Sequence, residues 1–414
     1  MLAALASCGS ESELDAEPTA MTSELCDITA ESCQRAVLAA VAAERGEPLP
    51  PLPSIRIIDR TGVLYPPRYD LSAPPNPDGV WWSWDSAFAA LHLLPDNKSS
   101  REAEAQQLTS DFGAHYSITD KQITLTKTSS ALPLEQRPAM ATLAHEFDHY
   151  MQDLAVDLSS LYAQHNQNLD ERSATNALIE GEATVVGWRV RARLFGLSPD
   201  TLDWNREFGN QQGAYLDYMR VSSVPLTAAA TRLPYAIGGR YIAKLWADYG
   251  RMAVDALFDD FPVSVVDWFA ESDHGVAAKS VVENIDCPAP PPPDGFTMQG
   301  TTSVGVIGAS AILATADSAY GILASGLHAD RMTIYTGPLD DQSPMGWAST
   351  HVLVVWQLLF ASNDAARNFS LGVAPLGLRQ DWAGRQVVIR ASARPELDPP
   401  TALTLPDCRG TGGR

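Results

Sequence analysis

The feature that most restricts how this chain can fold is a helix-forming segment with two unlike faces. Beyond Pro138, the residues Met140, Leu143, Ala144, Phe147, Met151 and Leu154 recur on one helical stripe, the spacing of a core-facing side. Pro138 itself suits the first turn of such a helix. At about 100° per residue, His145, Glu146 and His149 fall on the opposite side. One helix therefore packs with one face and presents two imidazoles, one turn apart, from the other.

Those residues form the run Ala144-His145-Glu146-Phe147-Asp148-His149, an H-E-x-x-H sequence. Two imidazoles one turn apart can bind one zinc ion, while Glu146 sits beside the metal rather than on it. Water on such an ion becomes acidic, and Glu146 would take its proton and pass it to a leaving amine. The bland alternative is a surface helix with two solvated histidines, which the segregated faces argue against. A third ligand is needed. A metzincin would carry glycine three residues past His149 and histidine six past it; Gln152 and Ala155 stand there instead, which excludes that class. Downstream, Asn176-Ala-Leu-Ile-Glu180-Gly181-Glu182-Ala-Thr184 offers two carboxylates in an apolar helical stretch. That helix is expected beside the first, with Gly181 permitting close approach.

The arrangement resembles the Glu-zincins (gluzincins), whose second active-site helix supplies a glutamate. In the aminopeptidase N lineage of that group the metal ligand is a glutamate on this helix, and Glu180 of the Glu-Gly-x-Ala run looks like its counterpart. Glu182 takes second place, read as a solvated helix charge; the spacing from His149 is longer than usual for that lineage and leaves the choice between them partly open. The same resemblance offers Tyr235, in Leu233-Pro234-Tyr235-Ala-Ile-Gly238-Gly239, as a hydrogen-bond donor to the developing oxyanion. The alternative is a tyrosine packed at a helix start after proline. His274, after Asp273, is a reserve for that role. More widely, the segment from His145 to Tyr235 is similar to secreted bacterial H-E-x-x-H proteins that share Gln152-Asp153, Glu-Gly-x-Ala and Pro-Tyr-x-x-Gly. Their last module resembles Asp330–Tyr335 and Val355–Phe360 here. That group carries no settled substrate.

The chain has 414 residues, enough for two domains with cores, and 45% hydrophobic content suits a globular protein. A formal net charge of −21 with no Lys/Arg cluster argues against nucleic acid, because nothing would neutralise phosphates along a track. No stretch of eighteen uncharged apolar residues is present, so no membrane span is expected. Leu5-Ala6-Ser7-Cys8 resembles a bacterial lipobox, making a lipid at Cys8 the expected membrane contact. It has no basic segment before it and a short apolar run, so the other reading is a chance match in a frayed terminus. Four cysteines remain. Cys26–Cys33 and Cys287–Cys408 are the favoured pairs among three possible pairings, in an exported protein.

The organisation expected is α+β: a lipoprotein signal remnant (1–8), an acidic tether with a helix from Ala30 to Arg45 (9–45), and a mainly helical zincin-like catalytic domain with a small sheet (46–286). A Pro-rich linker (287–294) and a small α+β C-terminal domain (295–414) follow. Strands are expected at Ile55–Ile58, Ile123–Thr126, Arg331–Thr336, Val352–Phe360 and Gln386–Ala391. Helical zones run from Arg137 to about Phe195 and from Tyr235 to Phe269. Further helices are expected at Ser303–Leu323 and near Asn363–Phe369. The Trp81-Trp82-Ser83-Trp84 cluster reads as core packing before a pocket wall. Ile123–Thr126, shortly before the zinc helix, is expected to be the exposed edge along which a peptide substrate pairs. Two functions compete: a zinc peptidase of the bacterial envelope or secreted, acting on peptide or protein, and a catalytically silent zincin-fold scaffold. Glu146 favours the first, since holding a metal does not require a general base. A zinc hydrolase acting on a non-peptide bond is a third reading.

Overall fold

In a computed structural model of the chain, residues 26–59, 80–95, 99–100, 103, 113–127, 133–269, 289–321, 324, 326–339 and 350–392 are described. Helix α1 (Glu31–Arg45) stops at Gly46, whose positive φ of 67° is the left-handed conformation that ends a helix. A three-stranded sheet follows, of β1 (Ser54–Asp59), β2 (Ala114–Ser117) and β3 (Gln122–Lys127), with α2 (Val80–Ala90) inserted in the chain between β1 and β2. Then come α3 (Pro133–Val156), α4 (Leu158–Gln164), α5 (Leu169–Leu194), α6 (Trp204–Val221), α7 (Pro225–Tyr249) and α8 (Arg251–Leu257). The remainder is β4 (Thr297–Thr302), α9 (Gly305–Thr315), β5 (Leu327–Leu339), β6 (Thr350–Phe360), α10 (Asn363–Val373), β7 (Arg379–Ala383) and β8 (Gln386–Ser392). The fold is mainly helical α+β with two small sheets.

Helix α5 is the hub. It buries residues on nearly every side, from Ser173 and Ala174 to Leu194, and meets α1, α3, α7 and α9. Asn168 caps it by accepting from the Glu171 amide at 2.9 Å. One hydrophobic core joins α2, α5–α9 and the inner face of the five-stranded antiparallel sheet, ordered β4-β5-β6-β8-β7. That face alternates as a strand should: Met332 and Ile334, Val352, Val354 and Trp356, Val387 and Ile389. The core thus continues across the Pro-rich segment, and Pro290 lies buried with its carbonyl accepting from the Tyr335 hydroxyl. A second core joins α1, β2, β3, α3 and the C-terminal part of α5.

Several expectations need correcting. In the first sheet the order is β1-β3-β2, so Ile123–Thr126 lies in the central strand and is no exposed edge. Its parallel pairing with β1 satisfies the side that was expected to be open. Tyr235 does not start a helix: α7 begins at Pro225, and Pro234 and Tyr235 lie inside it. An interior proline costs about 3 kcal/mol, offset here by burial of Leu226, Leu233, Ile237 and Ile242. Helix α6, with Gly209 and Gly213 in a mixed pattern, was not expected as a separate element. The Ser303–Leu323 helix is shorter, Gly305–Thr315. Leu154 stands 60% exposed while the other five members of the apolar stripe are buried. Trp84 packs against the main core. Pro138 is the sixth residue of α3, not in its first turn, because the helix begins at Pro133. Cys8, Cys287, Cys408, His274 and the side chains of Trp81 and Trp82 lie outside the described residues.

Candidate metal centre

Helix α3 turns its apolar residues Met140, Leu143, Ala144, Phe147 and Met151 into the second core. His145, Glu146 and His149 are left on the side that meets α5, α7 and β2. On α5, Glu180 points at the same place. The Nε2 atoms of His145 and His149 are 3.0 Å apart, and Glu180 Oε2 lies 3.1 Å from the first and 3.2 Å from the second. Among the described residues, these three form the group of His, Cys, Asp or Glu side chains able to hold a metal ion. Three ligand atoms at tetrahedral positions around zinc, with bonds of about 2.0–2.1 Å, stand about 3.3–3.4 Å apart. The observed triangle therefore fits zinc after widening by a few tenths of an ångström, and two imidazoles with one carboxylate suit that ion.

The electrostatics ask for a cation. Burial acts to push the His149 imidazole down, but the Glu180 and Glu146 carboxylates outweigh it and raise it to about 10. Glu180 moves well below the usual carboxylate range despite its own burial, because both imidazoles face it. The two carboxylates thus favour positive charge at His149.

Glu146 is 6% exposed, and its Oε2 accepts from the Tyr116 amide of β2 at 2.7 Å. Strand β2 is held in turn to α3 through Asp153, which accepts from the Tyr116 hydroxyl and from Lys121 Nζ. The sheet edge nearest the site is thus β2, where the sequence suggested β3.

Tyr235 lies in the site. Its ring stacks on His145, with 5.8 Å between the ring centroids. Burial first, then the Glu180 and Glu146 charges, raise the phenol well above its ordinary value, so it is held as a donor. What brings it there is a glycine crossing between α5 and α7. A Cβ on Gly238 would sit 1.7 Å from the Ala177 carbonyl oxygen, and one on Gly181 would sit 2.5 Å from Gly238. Gly181 was expected to admit the zinc helix; it admits α7. Against α3 the close residue is Gly187, whose Cβ would lie 2.9 Å from the Ala141 carbonyl oxygen.

Glu182 also departs from expectation. It is not solvated: it is 0% exposed, and its Oε1 lies 3.0 Å from Arg45 Nη1 and 2.7 Å from Arg251 Nη2. Asp148 joins the same cluster through Arg45 at 2.7 Å. Gln152, Arg45 and Arg251 were missed as contributors to the site; the Gln-Asp pair after the H-E-x-x-H run was the available signal for the first.

No protein-family model matches the chain, and searches of curated proteins and of solved structures return no match. The centre is therefore read from its own chemistry. The Cys26–Cys33 disulfide is present, with Cα atoms 5.6 Å apart. Among the described residues no helix is long and apolar enough to cross a membrane.

Proposed function

We propose that the protein is a zinc-dependent peptide-bond hydrolase of the gluzincin type, with His145, His149 and Glu180 as ligands. The observation that carries this reading is the triangle of two imidazole nitrogens and one carboxylate oxygen, with edges of 3.0–3.2 Å and Glu146 beside it. When bound, zinc supplies Lewis-acid activation of water and of a carbonyl group. Glu146 acts as general base: it takes a proton from the attacking water and returns it to the leaving amine. Its Oε2 is already fixed by the Tyr116 amide, so the carboxylate is oriented before substrate arrives. Tyr235 donates a hydrogen bond to the substrate oxygen on which negative charge develops, a contact worth about 3 kcal/mol when preorganised. An extended peptide is assigned to the edge of β2, the role first given to β3.

A buried general base is what separates this reading from a silent scaffold, since metal binding alone leaves no use for Glu146. The Cys26–Cys33 bridge supports an extracytoplasmic location, in the bacterial envelope or secreted, as such bonds persist in oxidising compartments. The test is Glu146→Gln. It should retain zinc and lose cleavage of a mixed peptide library. A variant that cleaves like the wild type, or one that loses the metal, contradicts the mechanism.

A further inference from the structure

Behind His149 lies a chain of buried polar groups that a catalytic role for His145, Glu146, His149, Glu180 and Tyr235 does not use. His149 Nδ1 lies 2.9 Å from Gln152 Oε1. The Gln152 amide nitrogen lies 3.0 Å from the Ile179 carbonyl oxygen and 2.8 Å from Glu182 Oε2. Both of those partners are acceptors only, so the NH2 end of Gln152 must face them. Its carbonyl end must then face His149, and can only accept. Nδ1 of His149 is therefore the protonated nitrogen toward Gln152, so in the neutral imidazole Nε2 is the nitrogen left to bind a metal.

The direction of that amide is enforced from further out. Glu182 Oε1 is taken by Arg45 and Arg251, at 3.0 and 2.7 Å, and its Oε2 by Gln152. Arg45 is the last residue of α1, the helix tied down by the Cys26–Cys33 bridge, and it also holds Asp148 beside His149. Gln152 and Glu182 are 1% and 0% exposed, so no water competes for these bonds.

We propose that Gln152 is a positioning residue. Backed by Glu182, and through it by Arg45 of the N-terminal helix and by Arg251, it fixes His149 in the tautomer able to bind metal through Nε2. This rests on the reading of His145, His149 and Glu180 as metal ligands. Outer partners of ligating histidines commonly change metal affinity by about 10–100-fold when removed.

The experiment is competition for zinc alone between a chromophoric chelator and the metal-stripped full chain. Gln152→Met keeps the shape but removes the acceptor, and should bind zinc about 10–100-fold more weakly. Its metal-free melting temperature reports any general damage to the fold. The double exchange Gln152→Glu with Glu182→Gln reverses which partner is the amide and keeps an acceptor facing His149 while giving up the bond to the Ile179 carbonyl, and should bind zinc clearly more tightly than Gln152→Met. A merely space-filling role would not be rescued in this way. Gln152→Met binding zinc as tightly as the wild type overturns the proposal, and so does a double exchange no better than the single variant. Should Gln152→Met fail to fold, the double exchange decides alone: near-wild-type affinity supports the proposal, and a hundredfold loss overturns it. Wild-type protein that does not bind zinc overturns the ligand reading itself, and this inference with it.

Discussion

The Tyr235 ring lies 5.8 Å from that of His145, with 9° between their planes, although the two residues are carried by different helices. This stacking places a phenol beside the His145 imidazole, where burial and the Glu180 charge raise it well above its ordinary value. Tyr235→Phe removes the hydroxyl and keeps the stack. The expected outcome is a kcat lower by roughly a hundredfold, with KM, zinc content and melting temperature little changed. An unaltered kcat in steady-state peptide cleavage would return Tyr235 to a packing role.

Tyr235 reaches the site because Gly238, one turn along α7, touches α5. Gly238→Ala would drive a methyl into the Ala177 carbonyl oxygen. Overpacking of this kind should destabilise by about 3 kcal/mol, the upper end of its usual cost, measured by denaturant unfolding of metal-free protein. A variant as stable as the wild type would show that the helices cross with slack.

The two carboxylates of the Glu180-Gly181-Glu182 run should part company under mutation. Glu182→Ala takes the buried counter-charge from Arg251 and leaves Arg45 with Asp148 as its buried partner, and breaking buried pairs of this kind commonly costs about 3–5 kcal/mol. Glu180→Ala should abolish tight zinc binding, whereas Glu182→Ala should not. Equal unfolding curves for Glu182→Ala and the wild type would contradict the buried network.

Asp170, in the first turn of α5, gives a pH signature. Burial pushes its carboxyl up to about 7, with the Asp330 and Asp267 charges adding to the rise and hydrogen bonds from Ser264 and Val265 opposing it. A carboxyl raised in this way contributes stability that is fully present below its unfolded value, about 3.9. Between there and pH 7 the folded state holds a proton that the unfolded state has released, so stability falls as pH rises, by up to about 1.4 kcal/mol per unit. Asp170→Asn should flatten that decline. Parallel stability–pH curves for variant and wild type would contradict it.

How much of this was legible in the sequence depends on how local the cause is. His145 and His149 share one helical turn, so the pair and Glu146 between them could be read directly. Glu180 was legible through its Glu-Gly-x-Ala setting, and strand β3 through its alternation. The central position of β3 was not, because its pairing with β1 joins Ser54 to Gln122 across a long stretch of chain. Glu182 looked solvated because its partner Arg45 lies 137 residues away. The start of α7 was misplaced because a Pro-Tyr step looks like a helix beginning unless tertiary burial is known to outweigh the proline.

The central claim is that three side chains from two helices hold one zinc ion. The direct measurement is a zinc titration of metal-stripped wild-type protein beside His149→Ala and Glu180→Ala, followed by calorimetry. The account predicts one tight site per chain in the wild type and its loss in both variants. Absence of saturable zinc binding in the wild type, or wild-type affinity in either variant, would contradict it.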